Sequence, residues 1–241
     1  MEKKSRIFDS IYEQKFWGKG TAEEPLSGSG SNPDNSLLYV NYIRETIETR
    51  SIKSVLDIGH GDWEMWRDYQ FGGVMYTGLD LSRLITERVS KSYGNSERRF
   101  LTSDISEDHS RYSADLVISK DCLQHLSNSD VISILKVLQK FEVLILCNDI
   151  FIDFDRIEDQ LRWSLAIKTR IRKFLQFENP FFARRRTNNM DIEVGDFRGV
   201  DLESEPFRDF LLNFECVSKF DFDAPVRSGL KKRVYTYVKR S

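Results

Sequence analysis

The residues with the clearest chemical pattern are Asp57, Gly59, Gly61 and Asp80, set in Val55-Leu56-Asp57-Ile58-Gly59-His60-Gly61-Asp62-Trp63 and Tyr76-Thr77-Gly78-Leu79-Asp80. Two glycines one residue apart let the chain turn sharply and let its backbone approach a ligand closely. A carboxylate at Asp80, 21 residues beyond Gly59 and at the end of the next apolar run, can accept both hydroxyls of a ribose. This spacing predicts an adenosine site. A dinucleotide fingerprint wants a third glycine, and the position it needs is Glu64. The acids Asp57 and Asp62 beside the turn would also repel a pyrophosphate. They suit a ligand that brings positive charge and no phosphate, such as the sulfonium and ammonium of S-adenosylmethionine.

A second group of residues could act on an acceptor. His125 follows the apolar run 114–119, on the side where an acceptor would approach. Imidazole has an unperturbed pKa near 6.5 and can take the proton of a hydroxyl nucleophile. It could equally cap the next helix or satisfy a buried carbonyl. Asp121, on the same loop, could orient His125, contact the acceptor or line the cofactor cleft. Trp17, flanked by Gly18 and Gly20, reads as a lid over the cofactor or as a ring packed on the core. Ser29 lies in a loop, 27–31, rich in hydroxyl and backbone donors for an anionic or sugar acceptor, or in a plain surface loop. Asp196 and Arg198 precede the last two strands and either border the acceptor pocket or form an ordinary ion pair. Arg184-Arg185-Arg186 reads as a solvated basic turn, with recruitment of a phosphate-bearing substrate as the lesser alternative. His109 falls in a polar loop and is assigned nothing. No residue set has metal-ligand spacing.

The elements that must position these residues are short apolar runs alternating with amphipathic stretches. Strands are predicted over 54–58, 74–80, 99–101, 114–119 and 142–147, with helices over 84–93 and about 129–140. Continuous apolar runs of this kind indicate βαβ units and a parallel sheet covered on both faces. The segment 20–36 carries Gly28, Gly30, Pro25 and Pro33 and is predicted as a loop. A charged helical insertion is predicted between 153 and 182, and two closing strands over 214–222 and 233–239. No linker is clean enough to split the chain. It is expected to form one domain, with 1–50 a lid and substrate segment, 51–150 the cofactor-binding core, 151–212 the insertion and acceptor-site loop, and 213–241 the terminal strands.

The totals set bounds. The chain has 241 residues, 40% hydrophobic and 31% charged, with a formal net charge of -2. That balance is ordinary for a folded soluble protein and leaves no basic face for nucleic acid. Three widely spaced cysteines, Cys122, Cys147 and Cys216, offer no disulfide framework and fit a reducing compartment. No window approaches the roughly 18 apolar residues of a membrane span, and the first residues lack the apolar core of a signal peptide. A cytoplasmic location is the expectation.

The D-x-G-x-G turn after an apolar strand, the acid ending strand two and an acid after strand three resemble the motifs of class I S-adenosylmethionine-dependent methyltransferases. The resemblance covers roughly 51–150. It implies a Rossmann-like, mostly parallel sheet of seven strands with a C-terminal antiparallel β-hairpin, and it gives Asp104 the contact to the adenine amino group. Four further segments resemble a bacterial branch associated with capsule or surface-polysaccharide synthesis. They are Phe16-Trp17-Gly18-Lys19-Gly20, Ser27-Gly28-Ser29-Gly30-Ser31, Asp121-Cys122-Leu123-Gln124-His125-Leu126-Ser127 and Gly195-Asp196-Phe197-Arg198-Gly199-Val200-Asp201-Leu202. His60 departs from the pattern, which places a small residue or cysteine there. The resemblance implies methyl transfer, of the O-methylating kind, to a small polar, sugar or phosphate- or phosphoramidate-type acceptor. Two rivals stay open: an NAD- or nucleotide-sugar-binding Rossmann enzyme, and a non-catalytic cofactor-binding scaffold subunit.

Overall fold

Every residue of Leu116–Lys120 and Val143–Phe151 is buried, the mark of strands covered on both faces. In the computed structural model, which describes residues 1–69, 71–107, 109–152, 188–225 and 230–240, they are the centre of one seven-stranded sheet. The strands are Ser54–Ile58 (β1), Met75–Asp80 (β2), Arg98–Thr102 (β3), Leu116–Lys120 (β4), Val143–Phe151 (β5), Phe214–Asp223 (β6) and Leu230–Lys239 (β7), in the order β3-β2-β1-β4-β5-β7-β6. The first five run parallel, and β7 pairs antiparallel with both β5 and β6. This is the predicted Rossmann-like sheet with its terminal hairpin.

Helices cover both faces. On one, Phe8 of α1 (Glu2–Glu13) and Val131, Leu135 and Leu138 of α4 (Asn128–Leu138) pack against Leu56, Val117 and Leu144. On the other, Tyr39 and Ile43 of α2 (Pro33–Thr49) and Ile85 and Val89 of α3 (Arg83–Tyr93) meet Val55, Ile118 and Ile145. The strand order reverses between β1 and β4, and the crevice at the carboxyl ends of these strands is where open α/β sheets bind ligands.

The predicted loop 20–36 needs correction at its end. Asn32 caps α2 by accepting the Asp34 N–H (2.9 Å), and Pro33 occupies the first helical turn, where its missing N–H costs nothing. Pro33 breaks no element here; it starts a helix. β5 and β7 also run past their expected ends, to Phe151 and back to Leu230. The insertion 153–182 and the Arg184-Arg185-Arg186 cluster lie outside the described residues. Among the described residues no helix is long and apolar enough to cross a membrane, and no group of His, Cys, Asp and Glu could hold a metal ion.

Candidate active site

β1 ends in the glycine turn. Gly59 has φ +81° and Gly61 has φ +58°, backbone states that side chains rarely adopt. A Cβ on Gly59 would lie 2.6 Å from the Cys122 Cβ, and one on Gly61 would lie 2.5 Å from the Ser27 Oγ. The turn is stitched to β2: Gly59 N–H donates to the Leu79 carbonyl (2.7 Å), and Gly61 N–H donates to Asp80 Oδ2 (3.1 Å). The other Asp80 oxygen accepts the Ser82 N–H (2.8 Å). A carboxylate has about four lone-pair positions, so two remain for a ligand.

The turn opens on a cavity of about 880 Å³ that Asp80, Asp104, Asp121 and Asp130 line. Asp57 and Asp62 do not line it. Asp57 sits beneath the floor, accepting Tyr76 OH (2.7 Å) and Trp66 Nε1–H (3.3 Å) on Oδ2, while its Oδ1 is buried without a partner. Asp62 instead clasps the 27–31 loop: Ser27 N–H donates to Asp62 Oδ2 (2.9 Å), and Asp62 N–H donates to Ser27 Oγ (2.7 Å). Of the four acids that face the cavity, Asp80 ends β2, Asp104 and Asp121 follow β3 and β4, and Asp130, which strand-end spacing does not reveal, stands on α4.

Burial pushes the Asp57 carboxyl up to about 7, although the bonds from Tyr76 and Trp66 hold it back. A raised folded-state pKa contributes stability below the ordinary carboxylate value, and that stability is lost as pH rises through about 7. Asp57→Asn is therefore expected to melt a few degrees above wild type at about pH 8, with the gap closing at about pH 5. Thermal unfolding at both pH values checks this; an unchanged gap contradicts it.

Asp104 follows β3. Its Oδ2 accepts Lys4 Nζ (2.8 Å), and its Oδ1 accepts the Ser106 N–H (3.0 Å) and hydroxyl (2.6 Å). Burial raises its pKa, but these bonds outweigh that and leave it below the ordinary value. Lys4 also reaches Asp130 (2.5 Å), so it pins α1 across the cavity. Lys4, Phe8 and Tyr12 all line it and stand at i, i+4 and i+8 on one helix face. That periodicity was the available signal for α1, which sequence reasoning missed.

Trp17 packs against Phe8 (5.9 Å), Tyr12 (5.5 Å) and His125 (4.6 Å between ring centroids). Beside the first cavity lies a second of about 670 Å³, and Trp17, Ser27, Asp121 and His125 line both. Ser29 lines the second.

His125 lies between them with its tautomer fixed. Its Nδ1–H donates to the Asp196 carbonyl (2.8 Å), a group that can only accept, so Nε2 carries the lone pair. Burial lowers its pKa to about 4, which keeps the ring neutral. Asp121 makes no hydrogen bond to His125. Its φ of +57° turns its carboxylate between Lys120 Nζ (2.6 Å to Oδ2) and Lys232 Nζ (2.6 Å to Oδ1). Burial opposes its charge, but the two ammoniums hold the carboxyl well below the ordinary range. It stays ionised and takes up no proton near neutral pH.

The segment containing Asp196 and Arg198 docks onto the histidine loop through Gly195 N–H to the His125 carbonyl (2.8 Å) and Arg198 N–H to the Gln124 carbonyl (3.1 Å). Asp196 works through its main chain, and its side chain lines neither cavity. Arg198 departs from the expected pocket position. It is fully buried, donating to the Leu123 carbonyl (2.9 Å) and Asn128 Oδ1 (3.0 Å) with its charge over the Phe207 ring. All three nitrogens of its fork donate to the loop that carries His125 and to the start of α4.

Lys120, Asp149 and Lys232 were missed. Lys120 and Asp149 are charged residues in strands otherwise buried, where such residues are rarely placed without a partner, whereas Lys232 is buried between the half-buried Lys231 and Arg233 and carries no such signal. Gly30 lies over this group, and a Cβ there would sit 2.6 Å from Asp121 Oδ2. Gly30→Ala is expected to destabilise the chain by about 1–3 kcal/mol, a fall of several degrees in melting temperature. An unchanged melting curve would mean that the loop moves freely.

No protein-family model and no curated protein sequence matches the chain. Solved structures do. The chain superposes on magnesium protoporphyrin IX methyltransferase (ChlM) from Synechocystis with bound SAH, with TM-score 0.61 and 15% identity over 98% of both chains. It superposes on the N-methyltransferase NodS from Bradyrhizobium japonicum, in complex with S-adenosyl-L-homocysteine, with TM-score 0.59 and 12% identity over 97% of this chain and 100% of that one. TehB from Haemophilus influenzae matches with TM-score 0.53 and 12% identity over 86% and 67%. The chain therefore has the fold shared by these proteins, two of them named methyltransferases.

Proposed function

We propose that the chain is an S-adenosylmethionine-dependent methyltransferase that methylates an oxygen of a small polar, sugar or phosphate-bearing acceptor. The observation that carries this reading is the pair of adjoining cavities with His125 and Asp121 on their shared wall. The first fits the cofactor: the glycine turn lines it with bare backbone, and Asp80 keeps lone pairs for a ribose. Gly59 and Gly61 would hold the cofactor by close backbone approach, Asp80 its ribose and Asp104 its adenine, with Trp17 as the lid. The bound cofactor supplies an activated methyl group on a cationic leaving group.

The chain's own part is then positioning and proton handling, since bringing acceptor and cofactor together in one orientation supplies much of the rate. Asp121, kept ionised by two lysines, places a fixed negative charge on the shared wall. His125 Nε2, neutral and unprotonated, accepts the proton of the acceptor hydroxyl. The bond to the Asp196 carbonyl holds the ring in that tautomer. The sequence resemblance to capsule-associated chains supports a role in surface-polysaccharide synthesis. The test is to incubate the protein with S-adenosylmethionine and a mixture of small polar metabolites and to identify the methylated product. An acceptor-dependent yield of S-adenosylhomocysteine with an O-methyl product is expected; a product methylated on nitrogen refutes the oxygen assignment.

A further inference from the structure

Buried Lys120, Asp149 and Lys232 close on the half-buried Asp121 between the two cavities. Asp149 of β5 and Lys232 of β7 are cross-strand partners, and Lys232 Nζ donates to Asp149 Oδ1 (2.8 Å) and Asp121 Oδ1 (2.6 Å). Lys120, at the end of β4, donates to Asp121 Oδ2 (2.6 Å) and the Gly30 carbonyl (2.7 Å). Gln124 completes the group: its Oε1 accepts the Asp149 N–H (2.8 Å), and its Nε2 donates to Asp149 Oδ2 (3.3 Å). Apolar side chains of similar volume stabilise a core as well as buried ion pairs do. Stability alone thus gives no reason for four linked charges where the two cavities meet.

Their sum does. Two ammoniums and two carboxylates cancel, and each ammonium already faces a carboxylate. An anionic ligand would find no cation with charge to spare and would meet Asp121 and Asp149. A cationic ligand would meet Lys232. What the cavity offers is a mixture of donors and acceptors: the third N–H of Lys232, the Ser29 hydroxyl, carboxylate lone pairs and the bare His125 Nε2. A hydroxyl group both donates and accepts, so several hydroxyls on one ring match such a mixture. The rings of Trp17 and Phe197, also in the lining, suit the C–H faces of that ring.

We propose that the second cavity takes an uncharged polyhydroxylated ring, a sugar without phosphate or carboxylate, and that the Lys120–Asp121–Lys232–Asp149 network sets that choice. The proposal rests on the methyltransferase reading only in making the bound ring the methyl acceptor. Asp149 acts as a positioning residue through Lys232.

Saturation-transfer NMR tests this on protein saturated with S-adenosylhomocysteine, using methyl glycosides of the common hexoses and the corresponding uronates and sugar phosphates at millimolar concentration. Wild type is expected to give signal from one or more neutral glycosides and none from the anions. Asp149→Asn leaves the network one positive charge in excess. It is expected to shift relative binding toward the uronates and phosphates by roughly tenfold, a change that mere loosening would not produce. Ala224→Trp, at the cavity lining, keeps the charges and is expected to abolish the glycoside signal while the protein still binds S-adenosylhomocysteine. Wild-type binding of the anions equal to or above that of neutral glycosides, or no signal from any neutral glycoside, overturns the proposal. A calorimetric titration with S-adenosylhomocysteine on the same preparation separates the two readings. Glycoside binding without cofactor binding defeats the methyltransferase reading alone, and the reverse defeats the sugar proposal alone.

Discussion

Asp80→Ala is expected to weaken S-adenosylhomocysteine binding by roughly a hundredfold while the chain stays folded. The carboxylate would accept both ribose hydroxyls, and a hydrogen bond to a charged group contributes about 1.5–3 kcal/mol, where each 1.4 kcal/mol is tenfold in affinity. It also holds the cradle: Asp80 receives the Gly61 and Ser82 N–H groups, so its loss frees both ends of the turn. Asp80→Asn should fall between, because its amide can accept on one side and places a donor against a backbone donor on the other. Calorimetry measures the affinity, and thermal unfolding separates it from damage to the fold. A loss under about threefold would remove Asp80 from the cofactor site, since a single lost charged contact already exceeds that.

His125→Ala is expected to lower acceptor-dependent turnover by about 10²–10⁴-fold, the usual range for a lost general base, with cofactor affinity nearly unchanged. The pH profile gives a second, independent readout. An exposed histidine would lose its base form below about pH 6.5. His125 is held near 4 by burial, so its unprotonated form persists through mildly acidic conditions. The rate should stay flat down to about pH 5 and fall only beyond it. Equal losses of turnover and cofactor affinity would mark His125 as a structural residue that steadies Trp17, whose ring lies 4.6 Å away.

Much of the sheet was legible because its strands are buried on both faces and carry few polar residues. Continuous runs such as Leu116–Lys120 announce themselves. The glycine turn and Asp80 were legible too, since backbone geometry there demands particular residues at a particular spacing. α1 was not read, although Ile7, Phe8, Ile11 and Tyr12 carry its period, because a short terminal segment gives few turns to count. α2 was obscured by Pro33, which signals a break or a beginning with the same residue. Side-chain direction was the harder limit. Asp57 and Asp62 lie beside the turn in sequence, yet one points beneath the cavity floor and the other into a loop clasp. Arg198 likewise sits next to the candidate site in sequence and points away from it. The charged network between the two cavities joins residues as far apart as Gly30 and Lys232, and no local spacing encodes such a meeting.

The claim at the centre is that the glycine turn and Asp80 hold a sulfonium nucleoside and not a dinucleotide. Parallel calorimetric titrations of the purified protein with S-adenosylhomocysteine and with NAD test it most directly. Saturable one-to-one binding of S-adenosylhomocysteine with no heat from NAD is the predicted result. Binding of NAD with none of S-adenosylhomocysteine would contradict it.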